Sequence, residues 1–224
     1  MSLRPGSPPT VPDRPTAAQL YWLGYISASG RVYAQRSVPA LVVDIDPRDL
    51  EHVHRIGEEF TDYRLHWELC RSNLNGLQGY IRDREFGKFL AQWGAPGAGE
   101  EDGWVSLALI PSSLLPHFVR GYLEGGHQTP PFGGSITPTI LTSIRILSLM
   151  GPEGFLSQLS DALGRHAGLP AGIMTRRPKG RHMLTYRGTH ARRLIHYAYR
   201  DPSPSMPRAA RLLHSFQKRA KVTI

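Results

Sequence analysis

Cysteine is nearly absent: the 224 residues hold one, Cys70. A single thiol excludes an internal disulfide and any zinc site built on cysteines. A lone cysteine of this kind is expected to be a small buried hydrophobe. No apolar run approaches the roughly 18 residues a membrane-spanning helix needs. The ten histidines contain no H-E-x-x-H pair, which argues against a zinc site. A glycine-rich phosphate loop is missing too. Residues Met1–Pro15 carry five prolines and no apolar stretch, so they read as a disordered tail and not as a secretory signal. A cytoplasmic location is the expectation that follows. Acid is scarce in the last part of the chain. Residues 133–224 hold 15 Lys+Arg against Glu153, Asp161 and Asp201 alone, whereas residues 1–132 hold 12 Lys+Arg and 15 Asp+Glu. The net charge of +9 is therefore concentrated in the second part, around Met174-Thr-Arg-Arg-Pro-Lys-Gly-Arg-His182. Such a surface attracts polyanions through phosphate contacts. A membrane surface is the weaker rival, because no basic amphipathic helix carries large apolar anchors.

The pattern of elements is mixed α and β. Thr16 caps a helix that runs to Ser29 and ends at Gly30. Arg31–Ser37 and Leu41–Ile45 have strand composition. Asp46-Pro47 is placed to open a second helix, with Leu50, Val53, Ile56, Gly57 and Phe60 as its apolar stripe and His52 and His54 in solvent. Tyr63–Cys70 and Leu77–Arg82 form a hairpin, and Asp83 caps a third helix with Phe86, Phe89, Leu90 and Trp93 on one face. After a turn-rich linker the order repeats. Pro111–Gly125 is a helix, Ile136–Pro138 and Ser143–Leu149 are strands, and Pro152–Ala167 is a helix with Phe155, Leu156, Leu159 and Leu163 facing inward. Ile173–Arg177 pairs with His182–Arg187, and Thr189–Tyr199 closes the unit. The expected domains are a tail at 1–15, a first repeat at 16–96, a linker at 97–110, a second repeat at 111–200 and a basic helix within 201–224. Asp44-Ile-Asp46 could hold a metal, but a strand end followed by a helix cap accounts for it more simply. Ser29 has no acid–base partner nearby in sequence, so nucleophilic catalysis is unsupported.

Trp22-Leu-Gly-Tyr-Ile-Ser-Ala-Ser-Gly30 and Val119-Arg-Gly-Tyr-Leu-Glu-Gly-Gly-His127 stand 97 residues apart, each leading the same element order. They resemble the two motifs of a single-chain LAGLIDADG homing endonuclease, and the resemblance spans about residues 16–219. It implies an α+β fold of two pseudo-symmetric αββαββα repeats. The motif helices would meet at a pseudo-twofold axis, and their close approach needs small residues one turn apart. Gly24 and Ala28 meet that need in the first helix, and Gly121 and Gly125 in the second.

The family places a carboxylate at the foot of each motif helix to hold divalent metal against the scissile phosphates. The matching positions here are Ser29 and Gly126, and neither supplies one. Glu124 matches the earlier motif acid, about 200° around the helix from Gly126. Two carboxylates at helix C-termini would also oppose the macrodipole, so their loss leaves the fold unstrained. No catalytic residue and no metal are therefore expected, with Mg2+ relevant only to an enzyme that cuts through unusual ligands.

The implied partner is double-stranded DNA, bound by a monomer whose sheets form a saddle over the major groove. Arg31, Tyr33 and Gln35 share a strand face, as do Arg64, His66 and Glu68. Arg145, Arg176, Arg177 and Arg187 are the candidates of the second repeat, with Lys179 and Arg181 placed to meet phosphate. The leading expectation is a non-cleaving DNA binder such as a transcription regulator. The alternatives are a site-specific endonuclease and an RNA-binding splicing helper, roles that relatives of the family also fill.

Overall fold

The computed structural model describes residues 15–35, 38–60, 63, 65, 67–71, 77–93, 105–126 and 146–201. The first helix, α1 (Ala17–Ser29), starts on a reciprocal cap. The Thr16 hydroxyl accepts from the Gln19 amide at 3.0 Å, and the Gln19 side chain accepts from the Thr16 amide at 3.0 Å. Leu20 through Ser27 are buried without a break, as befits a helix enclosed on every side. Gly30 ends it, although not through a left-handed turn: its backbone is extended (φ −98°, ψ 161°). What requires glycine there is crowding, since a Cβ would lie 2.5 Å from the Ile26 carbonyl oxygen.

Strands β1 (Gly30–Gln35), β2 (Val38–Ile45), β3 (Trp67–Arg71) and β4 (Leu77–Ile81) form an antiparallel sheet in the order β1-β2-β4-β3. Leu41, Val43, Ile45 and Ile81 point from it into the core. The segment after β2 departs from the expected single helix. Pro47–Asp49 is a 3-10 turn, followed by α2 (Leu50–His54) and α3 (Ile56–Glu59), which break at Arg55. Val53, Ile56 and Phe60 are still buried together. Tyr63 is not a strand residue either. It packs on Phe86 and Phe89 of α4 (Arg84–Gln92), whose start is capped by Asp83 Oδ1 accepting from the Phe86 amide at 2.8 Å.

Val105, Leu107 and Ile110, inside the stretch read as a linker, are buried in the core. α5 (Leu115–Gly125) begins later than Pro111, because Pro111–Leu114 makes a turn whose first carbonyl accepts from Leu114 and Leu115. β5 (Ile146–Gly151), α6 (Glu153–Ala167), β6 (Ile173–Arg176), β7 (His182–Arg187) and α7 (Gly188–Ala198) follow, and the described strands pair antiparallel as β5-β7-β6. Gly168 closes α6 at φ +60°, a left-handed conformation that favours glycine. The expected strand at Ile136–Pro138, the start of the strand at Ser143 and the basic helix after Asp201 lie outside the described residues. One continuous core joins the two repeats through α1 and α5. No described helix is long and apolar enough to cross a membrane.

Candidate nucleic-acid interface and the helix seam

α1 and α5 meet backbone to backbone. A Cβ on Gly24 would overlap the Phe118 carbonyl oxygen, one on Gly121 the Tyr21 carbonyl oxygen, and one on Gly125 the Tyr25 carbonyl oxygen. Phe118 lies three residues before Gly121, and Tyr21 lies three before Gly24. The two contacts therefore exchange under a local twofold axis, which is the internal repeat expressed in space. Ala28 is partly buried against the same core.

At the foot of the seam stand Ser29 and Gly126. The Ser29 hydroxyl, buried, donates to the Tyr25 carbonyl at 2.8 Å, and Ser27 donates in the same way to Leu23 at 2.7 Å. Gly126 ends α5 by donating its amide to Tyr122 at 3.2 Å. The two positions offer one hydroxyl and no carboxylate. A magnesium-type ion needs hard oxygen ligands carrying negative charge, so this donor set does not fit one. Among the described residues, no three His, Cys, Asp or Glu side chains converge to hold a metal.

Glu124 is fully buried and its oxygens are engaged inside the protein. It accepts from Tyr21 Oη at 2.6 Å and from Tyr199 Oη at 2.8 Å. Because Tyr21 gives its one proton to Glu124, the 2.6 Å contact with His52 Nε2 is a bond in which the imidazole N–H donates to the tyrosine oxygen. His52 Nδ1 is then the bare nitrogen, buried and with no hydrogen-bond partner among the described residues. Burial, and secondarily Arg55, hold the His52 pKa down at about 4. The expectation that His52 is solvated is thus overturned, while His54 is exposed. Burial, then Glu124, raises Tyr21 well above the usual phenol range.

Arg120 completes the cluster. Its Nη1 donates to the carbonyls of Ala198 (3.2 Å) and Asp201, its Nη2 lies 2.9 Å from His117 Nδ1, and its guanidinium sits over the rings of Tyr21 and Tyr199. Burial lowers the pKa of Arg120, with Glu124 the largest opposing influence, and burial followed by Arg120 lowers that of His117. These groups lock α1, α2, α5 and the end of α7 together. Sequence reasoning missed the cluster. The available signal was Arg120 and Glu124 at i, i+4 inside an otherwise apolar helix.

The open faces of the two sheets differ. On the first, Tyr80 donates to Gln78 at 3.0 Å, Gln78 donates to Asp44 at 2.9 Å, and Arg82 pairs with Glu68 at 3.2 Å. Cys70 is exposed there, opposite Gln78, contrary to the buried position expected of it. The β1 backbone sets Arg31 opposite Val42, Tyr33 opposite Ala40 and Gln35 opposite Val38. Their side chains, that of Lys179, and the whole of Arg64, His66 and Arg145 lie outside the described residues. In the second repeat Arg176, Arg177, Arg181 and Arg187 are all exposed.

No protein-family model matches the chain, and no curated protein matches it either. Solved structures do. The homing endonuclease I-DmoI, in a crystal with DNA and calcium, aligns at a TM-score of 0.63 and 13% identity, over 88% of this chain and 97% of that one. Full-length DUF199/WhiA from Thermatoga maritima aligns at 0.53 and 12%, over 89% of this chain and 59% of that one. The N-terminal LAGLIDADG domain of DUF199/WhiA aligns at 0.51 and 14%, over 80% of this chain and 79% of that domain. The fold of this chain is that of the LAGLIDADG homing endonucleases.

Proposed function

We propose that this chain is a sequence-specific binder of double-stranded DNA that does not cut by the two-carboxylate route, and that it acts by occupancy, as a transcription regulator does. The observation that carries the reading is the seam foot. Ser29 spends its proton on Tyr25, Gly126 has no side chain, and Glu124 is consumed by two tyrosines inside the protein. The likeness to I-DmoI, solved with DNA, supports the duplex as partner. So does the charge of the second repeat: Ile173–Arg187 holds five basic residues and no acid.

The experiment is fluorescence anisotropy with a labelled duplex over a series of salt concentrations, with structured RNA as competitor. Tight duplex binding whose affinity falls steeply with salt is the expected result, at a log–log slope of about −0.9 per phosphate contacted. Structured RNA displacing the duplex at equal concentration would move the chain to the splicing-helper class. Absence of binding to either would end the proposal.

A further inference from the structure

The open face of the second sheet is unusual for a surface that meets nucleic acid. Paired residues of adjacent strands share a face. The register sets Ile146 opposite Arg187, Ser148 opposite Thr185 and Met150 opposite Met183. It also sets Ile173 opposite Thr185 and Thr175 opposite Met183. Leu147, Leu149, Leu184 and Tyr186 alternate with these and are buried on the other side. The side chains this face exposes are Ile146, Met150, Ile173 and Thr175, with Ser148 half-buried and Thr185 buried between them. Ile146 and Ile173 are each 52% exposed and Met150 is 38% exposed. Its central hydroxyls face one another, Ser148 Oγ and Thr185 Oγ1 lying 3.2 Å apart, so they are engaged with each other. Among the described residues, long charged side chains sit at the margins of this face: Arg187 at one end and Arg177 with Arg181 at the other, while Arg176, paired with His182, belongs to the opposite face; the Arg177 guanidinium folds back to Met183 Sδ at 3.2 Å.

Exposed Ile and Met side chains within a cationic rim have a definite complement. The rim attracts phosphates and holds a duplex against the sheet. The apolar side chains then face base edges. In the major groove the one apolar group is the thymine C5-methyl, while guanine and cytosine present only donors and acceptors. Pressing Ile and Met against those polar edges would strip their water and return no hydrogen bond. Residues four apart on a strand are separated by about 13.6 Å, close to four steps of the duplex at about 3.4 Å each, so Ile146 and Met150 can each meet a different base pair. Building on the duplex-DNA reading above, we propose that this face reads thymine methyl groups and gives the second half-site a thymine-rich preference. The hydrogen-bonded face of the first sheet, with Tyr80, Gln78 and Asp44, reads donors and acceptors instead.

The test starts from a duplex selected for binding to the full chain. Thymine is replaced by deoxyuridine in one half-site at a time, which removes the methyl and keeps every hydrogen-bonding group. Deoxyuridine in the half-site beneath β5–β7 is expected to weaken binding about fourfold per methyl contacted, with the salt slope unchanged. In the other half-site the change stays within about twofold. Ile146→Ser and Ile173→Ser, at half-exposed positions, should retain the parent melting temperature and lose the discrimination between thymine and deoxyuridine. A selected duplex bound equally well with either base in both half-sites overturns the inference and leaves the DNA reading intact. Failure to bind any duplex overturns the reading beneath it. Sedimentation showing a dimer that Ile173→Ser dissociates also overturns the inference, because the face then belongs to a second copy of the chain.

Discussion

Gly121→Ala adds one methyl group at the point where α5 touches α1. The new Cβ would overlap the Tyr21 carbonyl oxygen, with the Tyr21 carbonyl carbon at 2.8 Å and the Tyr25 nitrogen at 2.9 Å. All three are backbone atoms of a helix buried on every side, so no rotamer change relieves the clash. The helices have to part by about 1 Å, which strains the core by some 1–3 kcal/mol. The same movement pulls Tyr21 from Glu124, whose 2.6 Å bond spans the seam. Alanine returns up to about 1 kcal/mol of helix propensity. The net expectation is a loss of about 2 kcal/mol. Gly154→Ala is the control. It makes the same chemical change in α6, where a Cβ meets nothing within 4 Å, and should stabilise by about 0.5 kcal/mol. Urea unfolding followed by circular dichroism gives both values, with an unchanged m-value as the sign that only stability moved. A Gly121→Ala protein with the parent midpoint, beside a stabilised Gly154→Ala protein, would refute the reasoning about the seam.

His52 makes stability depend on pH. Its folded pKa of about 4 lies below the 6.5 of an unfolded histidine, so the unfolded chain takes up the proton first. This contribution is complete above pH 6.5 and declines as pH falls towards about 4, by on the order of 3 kcal/mol in all. Urea midpoints between pH 7.5 and 5 should fall in the parent and fall less steeply in His52→Gln, where the lowered His117 supplies the remaining slope; equal slopes in the two proteins would contradict the buried neutral imidazole. Glu124→Ala leaves Arg120 enclosed without its nearest counter-charge and removes the acceptor of Tyr21 and Tyr199, so a loss of about 3–5 kcal/mol is expected by the same assay. Tyr199→Phe, which removes one bond only, should cost about 1–2 kcal/mol, and equal costs for the two would refute the cluster as drawn. Ser29→Asp with Gly126→Asp places two carboxylates at helix ends, where each costs about 0.3–1 kcal/mol against the macrodipole. Manganese should raise the melting temperature of that double variant and not of the parent, and an equal response from both would show that the seam foot already holds metal.

Much of the fold was legible because its signals are local. The Thr16 cap, the Asp83 cap and the apolar stripe of α6 each depend on residues within one or two turns. The seam was legible through its glycines, since backbone contact between helices leaves few other residues possible. What escaped depends on neighbours from afar. His52 is buried because Tyr21, Trp22 and Tyr25 pack around its ring. Arg120 is stable in the core because carbonyls 78 and 81 residues away receive it. The break at Arg55 and the exposed Cys70 follow from how two elements dock, which no window of sequence contains. The candidate DNA face was taken from the family resemblance and its residues from strand alternation, and neither reveals that the second sheet exposes Ile146, Met150 and Ile173 once its strands are in register.

Selection from a randomised duplex library, with bound and cleaved molecules sequenced separately in magnesium and in manganese, puts the account at greatest risk. A seam foot of Ser29 and Gly126 predicts an enriched motif many base pairs long in the bound fraction and no matching set of cut ends. A defined pair of cut positions inside that motif, dependent on the divalent ion, would contradict it.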